Sequence, residues 1–222
     1  MVDLKMEYII ILVIVVFMLY HLSSCRCFDN GFRVGGSWCK KNMECLKTGD
    51  CSNINLSYCD LKGNNLPYRL FKNAELKGVH LDKAFLSHAD LTGADLKGAN
   101  LTKAYLAFAG LKSAILEDAN LTGANLMGAH LDEAFLRSAI LKGADLTGAT
   151  LTDAYFTFAN LTDANIRGAD FKGANLTGTY GLNSVKNAKN AKCSHNTTFP
   201  SESIYECNNG RTWNVKSTAN FA

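Results

Sequence analysis

The chain has 222 residues, 47% of them hydrophobic, and a net charge of +3. That length holds one or two domains, and that apolar share can bury a core. The charge is too small to mark a nucleic-acid binder, so no nucleic-acid partner is expected.

The first element is a continuous apolar run, IIILVIVVFML, flanked by Tyr8 and Tyr20. A membrane-spanning helix prefers about 20 such residues, and a signal-peptide core is shorter. Ser23 and Ser24 follow, small residues of the kind a signal peptidase accepts. Lys5 is offset by Asp3 and Glu7, which weakens the basic flank such a signal carries. Two readings of residues 1–24 stay open: a cleaved signal peptide, or an N-terminal hydrophobic helix held in a membrane through residues 8–20. The stretch Leu22-Ser23-Ser24-Cys25 also resembles a bacterial lipobox, which makes Cys25 a lipidation candidate.

Eight cysteines follow a lopsided pattern. Cys25, Cys27, Cys39, Cys45, Cys51 and Cys59 cluster at the front, and Cys193 and Cys207 sit at the back. No CxxC pair occurs, and apart from His195 no His stands near the cysteines in zinc-like spacing, so no metal site is expected. With an export signal ahead of them, disulfides are the better reading. Cys193–Cys207 is the clearest pair, because no other cysteine is near. The pairing among Cys39, Cys45, Cys51 and Cys59 stays open.

The next element is a repeat of five residues, seen plainly in ADLTGADLKGANL at 89–101. The central position runs from Leu76 in steps of five to Leu176; it is Leu except at Phe156, Ile166 and Phe171. Two residues before each centre stands Ala, with Val79 the one exception. Ala-x-Leu spacing puts both side chains on one side of a short extended segment. The three polar positions cannot stay buried, so the chain turns before the next Ala. Repetition of side and corner winds a coil, with small and large side chains filling the inside. Glycine occupies the second position after the centre in eleven of twenty-four pentads from Leu61 to Leu176. From that share, the corner is not expected to need positive φ everywhere.

This pattern resembles the pentapeptide-repeat family, whose motif is A(D/N)LXX, over about residues 54–180. The resemblance implies an all-β fold: a right-handed, four-sided β-helix with one pentapeptide per side and about twenty residues per coil. The expected organisation is a Cys-rich N-terminal cap at 25–53, the β-helix at 54–181, and a C-terminal cap and tail at 182–222. A solenoid has two open ends that need cover, and Trp213 is expected to pack on the last coil. The cysteine-bearing ends resemble those of exported cyanobacterial and plastid members.

A longer period overlies the short one. Residues 81–111 and 131–161 are identical at twenty of thirty-one positions, an offset of fifty, including outward positions that the pentad leaves free. Such self-similarity reads as duplication of a ten-pentad block. If a coil holds twenty residues, the copy lands on the opposite side of the square. Phe85 and Tyr105 then share one side, and Ile115, Phe135 and Tyr155 the opposite one, with Phe108 and Phe158 at corners beside them. These residues form the candidate interaction surface. They read either as stacked cross-strand pairs or as patches for a protein partner or for self-association, because soluble surfaces rarely keep apolar stripes idle.

Catalytic chemistry finds little footing. Asp90, Asp95, Asp145 and Asp170 stand at separate outward positions and read as solvated surface. No nucleophilic triad, phosphate loop or dinucleotide fingerprint occurs, so no catalytic residue and no cofactor is expected. Some relatives in the family imitate duplex DNA and bind topoisomerases, which needs a dense acidic surface. Residues 74–180 carry twelve acidic and nine basic side chains, a net of −3, so that role is not expected. A site in the tail loops is the other alternative to a scaffold. Of the N-x-S/T sequons, Asn196 alone lies outside the five-residue frame and is the glycosylation candidate. The sequence therefore reads as a non-enzymatic, extracytoplasmic scaffold, secreted or membrane-anchored.

Overall fold

The computed structural model describes residues 27–29, 32–34, 39, 42–208 and 211–216. The hydrophobic helix expected within residues 1–24, and Cys25, lie outside them.

Parallel bridge pairs run without a break from Asp50↔Leu70 to Asn160↔Tyr180, one every five residues and each twenty apart. Four five-residue sides therefore complete one coil, and each coil lies on the next. The Ala and Leu positions from Ala74 to Leu176 are all buried. They form the only contiguous core of the described rod, with Phe71, Phe156 and Phe171 at centres that would otherwise hold Leu.

The backbone of a pentad accounts for nearly all its polar groups. Around Leu96, the outward Asp95 donates its N–H to Ala74 O of the preceding coil at 2.9 Å. Leu96 donates to Ile115 O of the next coil at 2.7 Å, and Gly98 to Glu117 O at 2.8 Å. Ala99 donates to Leu96 O at 3.0 Å, which closes the corner. One N–H remains, on the residue after the centre. The outward Asp or Asn takes it: Lys97 N–H donates to Asp95 Oδ1 at 3.2 Å. This is an Asx turn, and it gives a physical reason for Asp or Asn beside the central Leu. Between Asp50 and Asn175 fourteen outward positions hold Asp or Asn. Thirteen make this bond. The fourteenth, Asn65, precedes Pro67, which has no N–H to offer.

The corners correct one expectation. All twenty-six, from Asn53 to Gly178, have φ between 54° and 69°, and fifteen of them are not glycine. That is the third residue of a type II turn, which needs positive φ. A side chain in the left-handed region costs roughly 1–2 kcal/mol. Bonds to the coils on both sides fix the corner and offset that cost, so Lys, Tyr, Phe and Glu occupy it.

Both ends are covered. At the N-terminal end a short hairpin, β1 (Cys27–Asp29) with β2 (Phe32–Val34), precedes the helical turn α1 (Cys45–Thr48). Gly49 ends that turn at φ 93°. Disulfides Cys39–Cys59 and Cys45–Cys51 tie this cap to the first coil. Cys59 and Cys51 themselves occupy inward positions and are buried.

At the C-terminal end the register loosens by one residue per side: Asn165↔Lys186, Asp170↔Lys192 and Asn175↔Thr198. Single 3-10 turns at Leu182–Ser184 and Ala188–Asn190 hold two of the extra residues. The hairpin of β3 (Tyr205–Asn208) and β4 (Thr212–Val215) then folds over the last coil, with Thr212 pairing antiparallel to Lys192. Trp213 plugs the end of the core, with ring centroids 5.0 Å from Phe171 and 4.9 Å from Phe199. Cys193–Cys207 fastens the hairpin across a separation of 14 residues.

Candidate interaction surface

The outward position beside the central Leu decides what each side of the rod displays. Twelve of the twenty-six such positions between Asp50 and Asn175 carry neither Asp nor Asn. Each of these gives up its own Asx bond to the following N–H. Phe85, Tyr105, Ile115, Phe135 and Tyr155 are in this group.

The register brings them together. Phe85 bridges to Tyr105, and their rings stack with centroids 4.7 Å apart and planes 3° apart. Ten residues on, half a coil away, Ile115 bridges to Phe135 and Phe135 to Tyr155. The Phe135 and Tyr155 rings stack at 5.1 Å and 4°. Phe85, Tyr105 and Tyr155 are each 45% exposed and Phe135 is 40% exposed. Each ring thus lies on its neighbour and still presents an edge to solvent.

The corners carry a second set. Phe108 and Phe158 are exposed. Phe108 ends a column that sequence reading missed, in which Tyr68 stacks on His88 at 4.9 Å and His88 on Phe108 at 5.2 Å. These three residues are spaced by twenty, a signal visible once the coil length is known. Glycine completes the pattern. A Cβ on Gly128 would lie 2.5 Å from the Phe108 ring, and one on Gly178 would lie 2.6 Å from the Phe158 ring. Gly78 and Tyr58 repeat the arrangement at 2.6 Å. Ring and glycine stand twenty residues apart in each case, and the three pairs stand fifty apart, so the duplicated block carries a flat ring laid over a bare corner.

The other sequence candidates separate. Asp90, Asp95, Asp145 and Asp170 each hold the N–H two residues ahead, and no two of them converge. Asn196 is exposed in the turn that Thr197 N–H closes on Ser194 O. Among the described residues no group of three His, Cys, Asp or Glu could hold a metal ion, and no helix is long and apolar enough to cross a membrane. A cavity of about 410 Å³ opens between Thr179–Ser184 and Pro200–Ser203. Its lining has one carboxylate, Glu202, and no second acid or base except the Tyr180 phenol. Among the described residues, two exposed groups depart from their ordinary pKa. The Ser52 hydroxyl and N–H hold Asp50 low, and the hydrogen bond to Glu117 holds Lys97 high.

The pentapeptide repeats pattern matches eight copies here, over residues 70–106, 104–143 and 139–178. The crystal structure of HetL, a pentapeptide repeat protein involved in heterocyst differentiation regulation in the cyanobacterium Nostoc, is 31% identical, covering 68% of each chain at a TM-score of 0.61. The chain belongs to the pentapeptide repeat family. Family membership makes the rod a right-handed β-helix. A thylakoid-lumen member from Arabidopsis thaliana is 34% identical over 48% of this chain and 68% of its own, at a TM-score of 0.24. QnrB1, a plasmid-mediated fluoroquinolone resistance protein, is 20% identical over 64% of this chain and 81% of its own, at a TM-score of 0.41. These two low scores carry no functional argument. A comparison with curated proteins finds no match.

Proposed function

We propose that this member of the family is a non-enzymatic, extracytoplasmic scaffold whose two outward aromatic ladders bind protein. The observation that carries the reading is the exchange made at those positions. Asp or Asn there would close the last backbone N–H of the pentad, a bond worth about 0.5–1.5 kcal/mol. Phe85, Tyr105, Phe135 and Tyr155 forgo it and display half-exposed rings instead. A ring stack returns about 0.2–1 kcal/mol, and the 40–45% of each ring that stays exposed returns nothing to the rod.

Export is supported by the three disulfides, which persist in oxidising compartments, and by the apolar run in residues 8–20. The reading covers a cap at 25–53, a rod at 54–181 and a cap and tail at 182–222. It assigns no cofactor and no catalytic group.

The test is cross-linking of the full chain in its native extract, beside a variant with Phe135→Ser and Tyr155→Thr. Loss of the cross-linked species with an unchanged β-rich circular dichroism spectrum supports the reading. Retention of every cross-linked species in this variant, and again with Phe85→Ser and Tyr105→Thr added, overturns it.

A further inference from the structure

The two ladders are copies of each other in their rings and opposites in the charges beside them. Each ladder side is entered through a corner. Before Phe85 and Tyr105 those corners are Lys83 and Lys103. Fifty residues on, before Phe135 and Tyr155, they are Glu133 and Asp153. All four corner side chains are exposed. The alignment between the copies keeps both rings and reverses both charges.

From this geometry we infer that the ladders are complementary halves of one contact, and that a second copy of this chain occupies each. The basic aromatic side of one rod receives the acidic aromatic side of the next. This inference rests on the scaffold reading and names its partner.

The surroundings leave the charges available. Among the described residues neither Lys83, Lys103 nor Asp153 has an ion-pair partner. Glu133 meets Lys112 at 3.2 Å in an exposed pair, which is worth little in water. Asp82, beside Lys83, is already paired with Lys62 at 2.8 Å. Arg137, in place of Ser87, follows the central Leu136 on the acidic side.

The two sides lie ten residues apart in a twenty-residue coil and so face opposite ways. A contact between unlike sides is heterologous, and it leaves one free side of each kind at the ends of the pair. Assembly is therefore side by side and open-ended. Aromatic edges supply apolar contact, and the corner charges fix which side meets which.

Charge reversal tests this without touching a ring. Lys83→Glu with Lys103→Asp makes both sides acidic, and Glu133→Lys with Asp153→Lys makes both basic. Folding is protected, because Lys, Glu and Asp already occupy this corner at φ 56–60°. Light scattering on the full chain should show mass rising with concentration, and falling when salt screens the contact. Each charge variant alone should associate at least tenfold more weakly, and an equimolar mixture of the two should recover the loss. A wild-type chain that stays monomeric, a closed dimer, or variants that associate like the wild type would overturn it. If the charge variants keep a cross-linked partner that the ring variants lose, the scaffold reading stands and self-assembly falls.

Discussion

Replacing Phe135 and Tyr155 together with Asn separates what the ladder does for the rod from what it does for a partner. Burying a Phe completely is worth roughly 1.5–3 kcal/mol. Phe135 and Tyr155 are 40% and 45% exposed, so each ring contributes about 1–2 kcal/mol by burial. Loss of the stack removes a further 0.2–1 kcal/mol, roughly, shared by the pair. Each Asn returns an Asx bond to Arg137 or Thr157 N–H, about 1 kcal/mol apiece, and covers part of the same area. The net for the double variant is a loss of about 1–2 kcal/mol. Leu136, the inward neighbour of Phe135, is fully buried, and Leu136→Ala should cost about 2–5 kcal/mol. Urea midpoints followed by circular dichroism compare the two, since long repeat arrays strain a two-state fit. If the double variant is less stable than Leu136→Ala, the ladder is structural cement and the reasoning fails.

Gly128→Ala should destabilise the rod more than Gly143→Ala in thermal melts. Both have φ near 65°, but only Gly128 lies under a ring, and adding Phe108→Ala should cancel the excess. Asn120→Ala removes the acceptor for Thr122 N–H at 3.0 Å; it should cost about 0.5–1.5 kcal/mol by urea midpoint, while Asn120→Asp should cost little. Opening Cys193–Cys207 by a double Ser variant should cost about 3 kcal/mol for a loop of this length. With Trp38→Phe present, Trp213 emission should then shift red at lower urea than the rod's circular dichroism signal fades.

What the sequence made legible followed from side-chain size. Ala and Leu two apart, at a period matching neither helix nor single strand, required an inside and a corner, and the buried residues from Ala74 to Leu176 match that reading. The corner itself was misjudged. Glycine in fewer than half the pentads suggested a relaxed turn, but φ is positive at Lys83, His88 and Phe108 alike. Those angles are imposed by hydrogen bonds to adjacent coils, whose partners lie about twenty residues away and leave no local signature. For the same reason the Tyr68–His88–Phe108 column escaped notice. The role of Asp and Asn beside Leu was visible as a preference, and only the orphan N–H two residues on explains it. The connectivity Cys39–Cys59 and Cys45–Cys51 depends on how the cap meets the first coil, which spacing alone does not encode.

The claim beneath the rest is that an aromatic beside the central Leu leaves a backbone donor without its local acceptor. Residue-resolved amide hydrogen exchange reads this directly. Thr122 and Thr162 stand behind Asn120 and Asn160 and are bonded to them at 3.0 and 2.9 Å, so their amides should exchange several-fold more slowly than those of Arg137 and Thr157. Equal protection at all four amides would contradict it.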